Sequence, residues 1–239
     1  MHASWWQDNF TAGVDPEYTE QILPLIVDRL SGATAVLDLG AGEGQVGRAL
    51  MGGASGVNIV GIDPSSAQLK VAAERARATI GYAQAGASHL PFLDGSFDAV
   101  VACLVFEHID ELDEAIGEVA RVLISGGDFL LLLNHPLLQT PGSGWIDDQI
   151  LDPPEQYWRV GPYLGEAETV EEVQKDVHIR FVHRPLSRYI NALIRAGLEL
   201  VEMTEPAPPP GFLAQAPQYQ DAATIPRLLA LQCRRKSDG

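Results

Sequence analysis

The 239-residue chain is poor in cysteine, in basic charge and in long apolar runs, and each shortage excludes something. Its two cysteines, Cys103 and Cys233, stand far apart. They offer neither a disulfide framework nor a metal-ligand spacing, so a reducing compartment is expected and no metal. Lys and Arg number 16 against 32 Asp and Glu, for a formal net charge of −16. Such a surface repels phosphate backbones and anionic lipid, which argues against nucleic acid and membrane as partners. Solubility alone also accounts for the charge. No apolar stretch approaches the ~18 residues needed to span a bilayer. The opening residues Met1-His2-Ala3-Ser4-Trp5-Trp6 show no basic region followed by an apolar run, so no signal peptide is expected. These absences together predict a soluble, cytoplasmic protein, and leave the oligomeric state unknown.

What is present is a globular composition, 46% hydrophobic and 20% charged, on a chain long enough for one domain with a sizeable insertion. Helical and strand patterns alternate over residues 18–133. Apolar positions Ile22, Leu23, Leu25, Ile26 and Leu30 mark an amphipathic helix, and the apolar run 35–39 reads as a buried strand. A glycine-rich turn, a helix over 46–51 and a strand over 57–62 follow, stopped by Asp63-Pro64. Ser65 or Ser66 can cap the next helix, 67–79. Strands are expected at 80–85, 99–104 and 129–133, with a helix over 112–123 and a break at Gly126-Gly127. Such alternation implies right-handed βαβ units: a doubly wound, Rossmann-like α/β sheet, mainly parallel.

The pattern lapses over residues 134–184, a stretch too long for a simple connection, which reads as a functional insertion. Its Trp145, Tyr157, Trp158, Tyr163, His178, Phe181 and His183 can wall an acceptor pocket or form a satellite core under a long loop. The charge run 166–175 reads as a solvated helix face. A helix over 186–196, strands over 198–203 and 227–232, and a stiff proline bridge at 206–210 complete the chain.

The chemistry concentrates after the first strand, at Asp38-Leu39-Gly40-Ala41-Gly42-Glu43-Gly44. Glycines there let the backbone turn sharply and bring bare amides against a ligand at a helix N-terminus. Asp63 closes the second strand 19 residues beyond Gly44, where a carboxylate can accept both hydroxyls of a ribose. Both features suit an adenosine-containing ligand and do not choose among such ligands. Gly42-Glu43-Gly44-Gln45-Val46-Gly47 also satisfies the dinucleotide pattern GxGxxG, which keeps an NAD-dependent dehydrogenase open.

Three motifs in order resemble the class I S-adenosylmethionine-dependent methyltransferases, in particular the small-molecule subgroup of ubiquinone and menaquinone biosynthesis. The first is residues 36–44, with its acid two residues before the first glycine. The second is Leu90-Pro91-Phe92 with Asp94-Gly95-Ser96-Phe97-Asp98, and the third is residues 118–123 followed by Gly126-Gly127. The resemblance implies a seven-stranded sheet with an antiparallel strand near the C-terminus, forming a single methyltransferase domain over 1–239. It implies a helical lid over 1–34 and an acceptor-site cover over 135–185; Trp5, Trp6 and Tyr18 in the first can wall an acceptor pocket or form a small satellite core. It implies S-adenosylmethionine as cofactor, with Asp38, Gly40, Ala41, Gly42 and Gly44 at the methionine part and Asp63 and Pro64 at the ribose. Ala87 and Ser88 would flank the adenine, and Cys103 and Leu104 the methionine side. Gly86 stands where the family often carries an acid, and Ser125 where it usually carries proline; the first departure leaves adenine recognition to backbone groups.

The activity so implied is methyl transfer to an oxygen, nitrogen or carbon of a small molecule; a cofactor-binding relative without methyl transfer is the alternative. A sulfonium methyl is already electrophilic, so alignment at about 3 Å does most of the work, and a base is needed only where the acceptor loses a proton. Glu107 and His108, just past the fourth strand, are expected to face the crevice. His108 is the candidate catalytic base, or equally a cap or packed wall; His135 is a weaker candidate. Two resemblances fail on position. Asp152-Pro153-Pro154 lies far from the end of the fourth strand, where amino-methylating enzymes carry such a signature. Asp147-Asp148 has no matching acid at the end of that strand to complete a metal site.

Overall fold

The computed structural model describes residues 15–53, 56–76, 80–174, 176–219 and 221–237; Trp5 and Trp6 lie outside them. One π-helical turn, Tyr18–Ile22, runs into α1, Leu23–Arg29. Then come β1 (Ala35–Leu39), α2 (Gln45–Gly53), β2 (Asn58–Asp63), α3 (Ser66–Arg75), β3 (Gly81–Gln84), β4 (Phe97–Cys103), α4 (Leu112–Val122) and β5 (Leu123–Asn134). A short α5 (Pro136–Gln139) leads into strands β6 (Gly144–Asp148), β7 (Glu155–Arg159), β8 (Ala167–Gln174) and β9 (Val177–His183). The chain ends with α6 (Leu186–Arg195), β10 (Leu198–Thr204), α7 (Pro210–Gln215) and β11 (Leu228–Arg235).

Seven strands form one sheet in the order β10-β11-β5-β4-β1-β2-β3. β3, β2, β1, β4 and β5 pair in parallel, and β11 runs antiparallel between β5 and β10. The expected sheet and its antiparallel C-terminal strand are both present. The strand order reverses between β1 and β4, and a crevice at that switch point is where open α/β sheets bind ligands.

The central strands are apolar throughout because both faces are covered. Val36, Leu37, Val100, Val101, Leu131 and Leu132 are fully buried. Buried Leu112, Ala115, Ile116 and Val119 give α4 one apolar stripe; it and α6, through Tyr189 and Leu193, cover one face of the sheet. Ile26 of α1 with Val46 and Leu50 of α2 covers the other. Ser65 caps α3, its hydroxyl accepting from the Gln68 amide at 3.4 Å.

Two of the three motifs serve the scaffold. Arg121 of α4 pairs with Glu118 at 2.7 Å and Asp94 at 2.8 Å and donates to the Phe92 and Leu90 carbonyls. The Asp98 carboxylate accepts from the Thr34 and Ala35 amides and pins the start of β1 beside β4.

Three expectations need correction. The charge run 166–175 holds β8, not a helix face: Ala167 to Gln174 pairs antiparallel with β9. β5 begins at Leu123, six residues before the expected 129, with a bulge where its register with β4 shifts between Phe97 and Ala99. Gly126, at φ 77°, turns the chain there, and a Cβ at Gly127 would press on the Asp98 carbonyl. The proline bridge expected over 206–210 stops at Pro209, and Pro210 opens α7.

Candidate functional site

A cleft of about 620 Å³ opens at the carboxyl ends of β1, β2 and β4, beside the switch point. Its floor is the loop after β1. The Gly40 and Ala41 amides both donate to the Ile62 carbonyl at 2.8 Å, folding this loop over the end of β2. Gly40 takes φ 76°, and a Cβ there would collide with Val105. Gly42 takes φ 53° with open space where its Cβ would stand, leaving bare backbone on the cleft wall.

Asp63 fastens the same loop from the side. Its Oδ2 accepts from the Gly42 amide at 3.0 Å and its Oδ1 from the Ser65 amide at 2.7 Å. Burial raises its pKa, and the two amide bonds oppose that shift by favouring the carboxylate. Glu43, 5% exposed, holds Arg48 and Arg75 at 2.7 Å each and so ties the loop to α2 and α3. Gly61 makes the packing possible: a Cβ there would meet Ala41 and Tyr82 within 3.0 Å.

Of the twelve residues expected at the site, nine line the cleft: Gly40, Ala41, Gly42, Asp63, Pro64, Ala87, Cys103, Leu104 and His108. Asp38, Gly44 and Ser88 are not on its wall. Asp38 lies buried behind the loop, accepting from the Gly47 amide. Burial first, and then the neighbouring Asp63 charge, raise its pKa to about 7. Its Oδ2 has no hydrogen-bond partner among the described residues. Gly44 faces Tyr82 and Ala72, where its φ of 80° and lack of a side chain let the helix begin.

The β4 end supplies the opposite wall. Leu104 holds φ 54°, a left-handed conformation that costs energy in a branched residue and turns the chain sharply at the cleft. Burial pushes the Cys103 thiol well above its usual range, and its hydrogen-bond partner is Tyr18, which also lines the cleft. The expectation that Glu107 faces the crevice is corrected. Glu107 is 2% exposed, and its Oε1 accepts from the Asn134 amide at 2.7 Å and side chain at 3.1 Å. Burial raises its pKa, with His108 acting against the shift. His108 does reach the cleft. Its Nδ1 lies 2.8 Å from the Arg180 carbonyl, its ring packs on Phe181 at 4.8 Å, and its Nε2 is shielded from solvent.

His135 is not on the cleft wall. Its Nδ1 accepts from the Leu137 amide, capping α5, and its Nε2 meets Glu205 at 2.7 Å. The aromatics of the insertion mostly form the satellite core. Trp145 stacks on Tyr219 at 5.1 Å and meets Trp158 edge-on at 5.6 Å, while Tyr163 packs on His183. Among the described residues of the insertion, His178, Ile179 and Arg180 reach the cleft. Sequence reasoning missed Ile179 and Arg180, since nothing local in the sequence marks them, and it placed Glu43 within the glycine motif without assigning its side chain a role.

A methyltransferase-domain family model matches residues 37–131. The chain is 32% identical to the demethylmenaquinone methyltransferase of Thermobifida fusca over 165 residues, 63% of this chain and 67% of that one. It is also 32% identical to the same enzyme of Thermus thermophilus over 123 residues, 50% of this chain and 55% of that one. The chain thus spans between half and two thirds of these curated relatives. The crystal structure of an S-adenosylmethionine-dependent methyltransferase from Mesorhizobium loti superposes with a TM-score of 0.75 at 25% identity, covering 95% of this chain and 99% of that one. The sheet with its antiparallel β11, the glycine loop and these likenesses define one class of protein. The chain belongs to the class I S-adenosylmethionine-dependent methyltransferases.

Proposed function

We propose that the protein binds S-adenosylmethionine in this cleft and transfers its methyl group to an oxygen, nitrogen or carbon of a small-molecule acceptor. The observation that carries the reading is the bare, positively twisted backbone at Gly40–Gly42 held against the Asp63 carboxylate at the switch point. The donor set suits the cofactor. Asp63 retains lone pairs for the ribose hydroxyls, and Pro64, Ala85 and Ala87 offer apolar surface for adenine, while the Gly40, Ala41 and Gly42 amides are spent within the fold on Ile62 and Asp63. Asp38 and Gly44 would support this loop from behind, and Ser88 stands off the cleft wall.

When bound, S-adenosylmethionine supplies an electrophilic sulfonium methyl. The chain's part is to align an acceptor and exclude water. Tyr18 and His108 with the β9 residues His178 and Ile179 surround the acceptor side. Segment 1–34 would act as a lid and segment 135–185 as the cover of a single domain. His108 would take a proton from acceptors that lose one during attack. Among the described residues no helix is long and apolar enough to cross a membrane, consistent with a cytoplasmic enzyme acting on small molecules.

Calorimetric titration with S-adenosylmethionine, S-adenosylhomocysteine and NADH tests the reading. Micromolar binding of both sulfur compounds without NADH supports it. Binding of NADH alone would overturn it.

A further inference from the structure

We propose that Arg184 is a positioning residue that sets the orientation and tautomer of His108. The proposal rests on the methyl-transfer reading for the use made of His108, and its geometry stands apart from that reading. Arg184 follows β9 at the base of the β8–β9 hairpin and is 3% exposed. Its Nη1 donates to the Phe106 carbonyl at 3.1 Å, and its Nη2 to the Ile109 and Asp110 carbonyls at 2.7 and 3.0 Å. Glu166, half exposed, lies 3.4 Å from its Nε. The three carbonyls bracket Glu107-His108, so one planar fork grips the backbone on both sides of the imidazole. A lysine ammonium is a point donor and does not reproduce that spread.

The same hairpin meets His108 from the other side. The Arg180 carbonyl lies 2.8 Å from Nδ1, Phe181 packs on the ring, and the Arg180 guanidinium pairs with Asp110. A carbonyl only accepts, so Nδ1 carries the proton, and in the neutral imidazole Nε2 then keeps the lone pair. That is the tautomer a free neutral imidazole favours less. It persists only while the Arg180 carbonyl and the 106–110 segment stay in register, and Arg184, four residues past Arg180 in the chain and bonded to the Phe106, Ile109 and Asp110 carbonyls, holds that register. Burying a guanidinium is costly, and an apolar side chain would suffice merely to fill this position.

Nitrogen NMR of the whole protein at pH 8, without ligand, tests this through two-bond histidine correlations assigned with His108→Gln. Wild type is expected to show His108 with Nδ1 protonated and Nε2 bare. Arg184→Met should shift at least half of His108 to the Nε2–H form. Arg184→Lys should shift it in the same direction by less, and decides the matter if the Met variant does not fold. A folded variant keeping the wild-type pattern, or a wild type already in the Nε2–H form, would overturn the proposal. A purely structural arginine would lower Tm without moving the tautomer. Failure of the wild type to bind S-adenosylhomocysteine would sink the cofactor reading while leaving this spectrum interpretable.

Discussion

Gly42 donates its amide to the Asp63 carboxylate at 3.0 Å, joining the loop after β1 to the end of β2 across the floor of the cleft. The bond fixes the carboxylate where a ribose would lie and spends only part of its accepting capacity, since each oxygen has two lone pairs. Asp63→Ala removes both the loop contact and the ribose acceptor. Hydrogen bonds to a charged group are worth about 1.5–3 kcal/mol each. Affinity for S-adenosylhomocysteine should therefore fall roughly ten- to a hundredfold or more by calorimetry, and Asp63→Asn should fall between. An unchanged dissociation constant in Asp63→Ala would remove Asp63 from the binding site.

The two loop glycines should fail differently. A Cβ at Gly40 meets Val105 at once and also requires φ 76°. Gly40→Ala is then expected to cost about 2 kcal/mol or more in stability, read as a lower denaturation midpoint. At Gly42 the backbone strain remains, but the space is open. Gly42→Ala should lose about 1 kcal/mol and stay folded. Gly42→Val should also stay folded and lose cofactor affinity, because its side chain stands at the cleft wall. A Gly40→Ala protein as stable as wild type would refute the packing argument.

The sheet was readable because its strands are buried on both faces. Residues 35–39 and 97–103 are apolar nearly throughout, and a run of that kind bounded by glycine or Asp-Pro has few other uses. The glycine loop and Asp63 were readable for a similar reason, since their signals are local. The insertion was not. In β8 the acids Glu168, Glu171 and Glu172 stand beside an exposed Val170, so there is no clean alternation, and what makes it a strand is its pairing with β9. The same holds within the site. Glu43 depends on Arg75, 32 residues away, and Arg180 reaches His108 across 72. Long-range geometry of this kind leaves no spacing to find.

Asp38 makes stability depend on pH with a definite sign. Its folded pKa of about 7, raised chiefly by burial, lies above the ordinary 3.8 of the unfolded chain. Between those values the folded state binds more protons than the unfolded state, so this group's contribution falls as pH rises from about 4 to 7 and levels off above. The full difference corresponds to about 4 kcal/mol as an upper bound. Asp38→Asn keeps an oxygen for the Gly47 amide and removes the titration. Measured by urea denaturation, the stability of the variant relative to wild type should rise between pH 5 and pH 8. A difference independent of pH would show that Asp38 titrates normally.

The hairpin β6–β7 should be separable from the cofactor half of the cleft. Its Trp145 is stacked on Tyr219 at 5.1 Å with an interplanar angle of 9°, and edge-on to Trp158. None of the three rings is on the cleft wall, whereas Ile179 and His178 of β9 are. Trp145→Ala deletes a half-buried ring from this cluster and should cost about 1–3 kcal/mol, less than a fully buried aromatic would. For a chain of this size, that corresponds to roughly 2–12 °C in Tm. Affinity for S-adenosylhomocysteine should stay within about twofold, because the glycine loop and Asp63 touch nothing in this cluster. A folded Trp145→Ala protein that lost its affinity would mean that the hairpin's packing supports the cofactor loop. The aromatic cluster would then belong to the site, and the division of the insertion into a cleft-lining β9 and a separate satellite core would have to be abandoned.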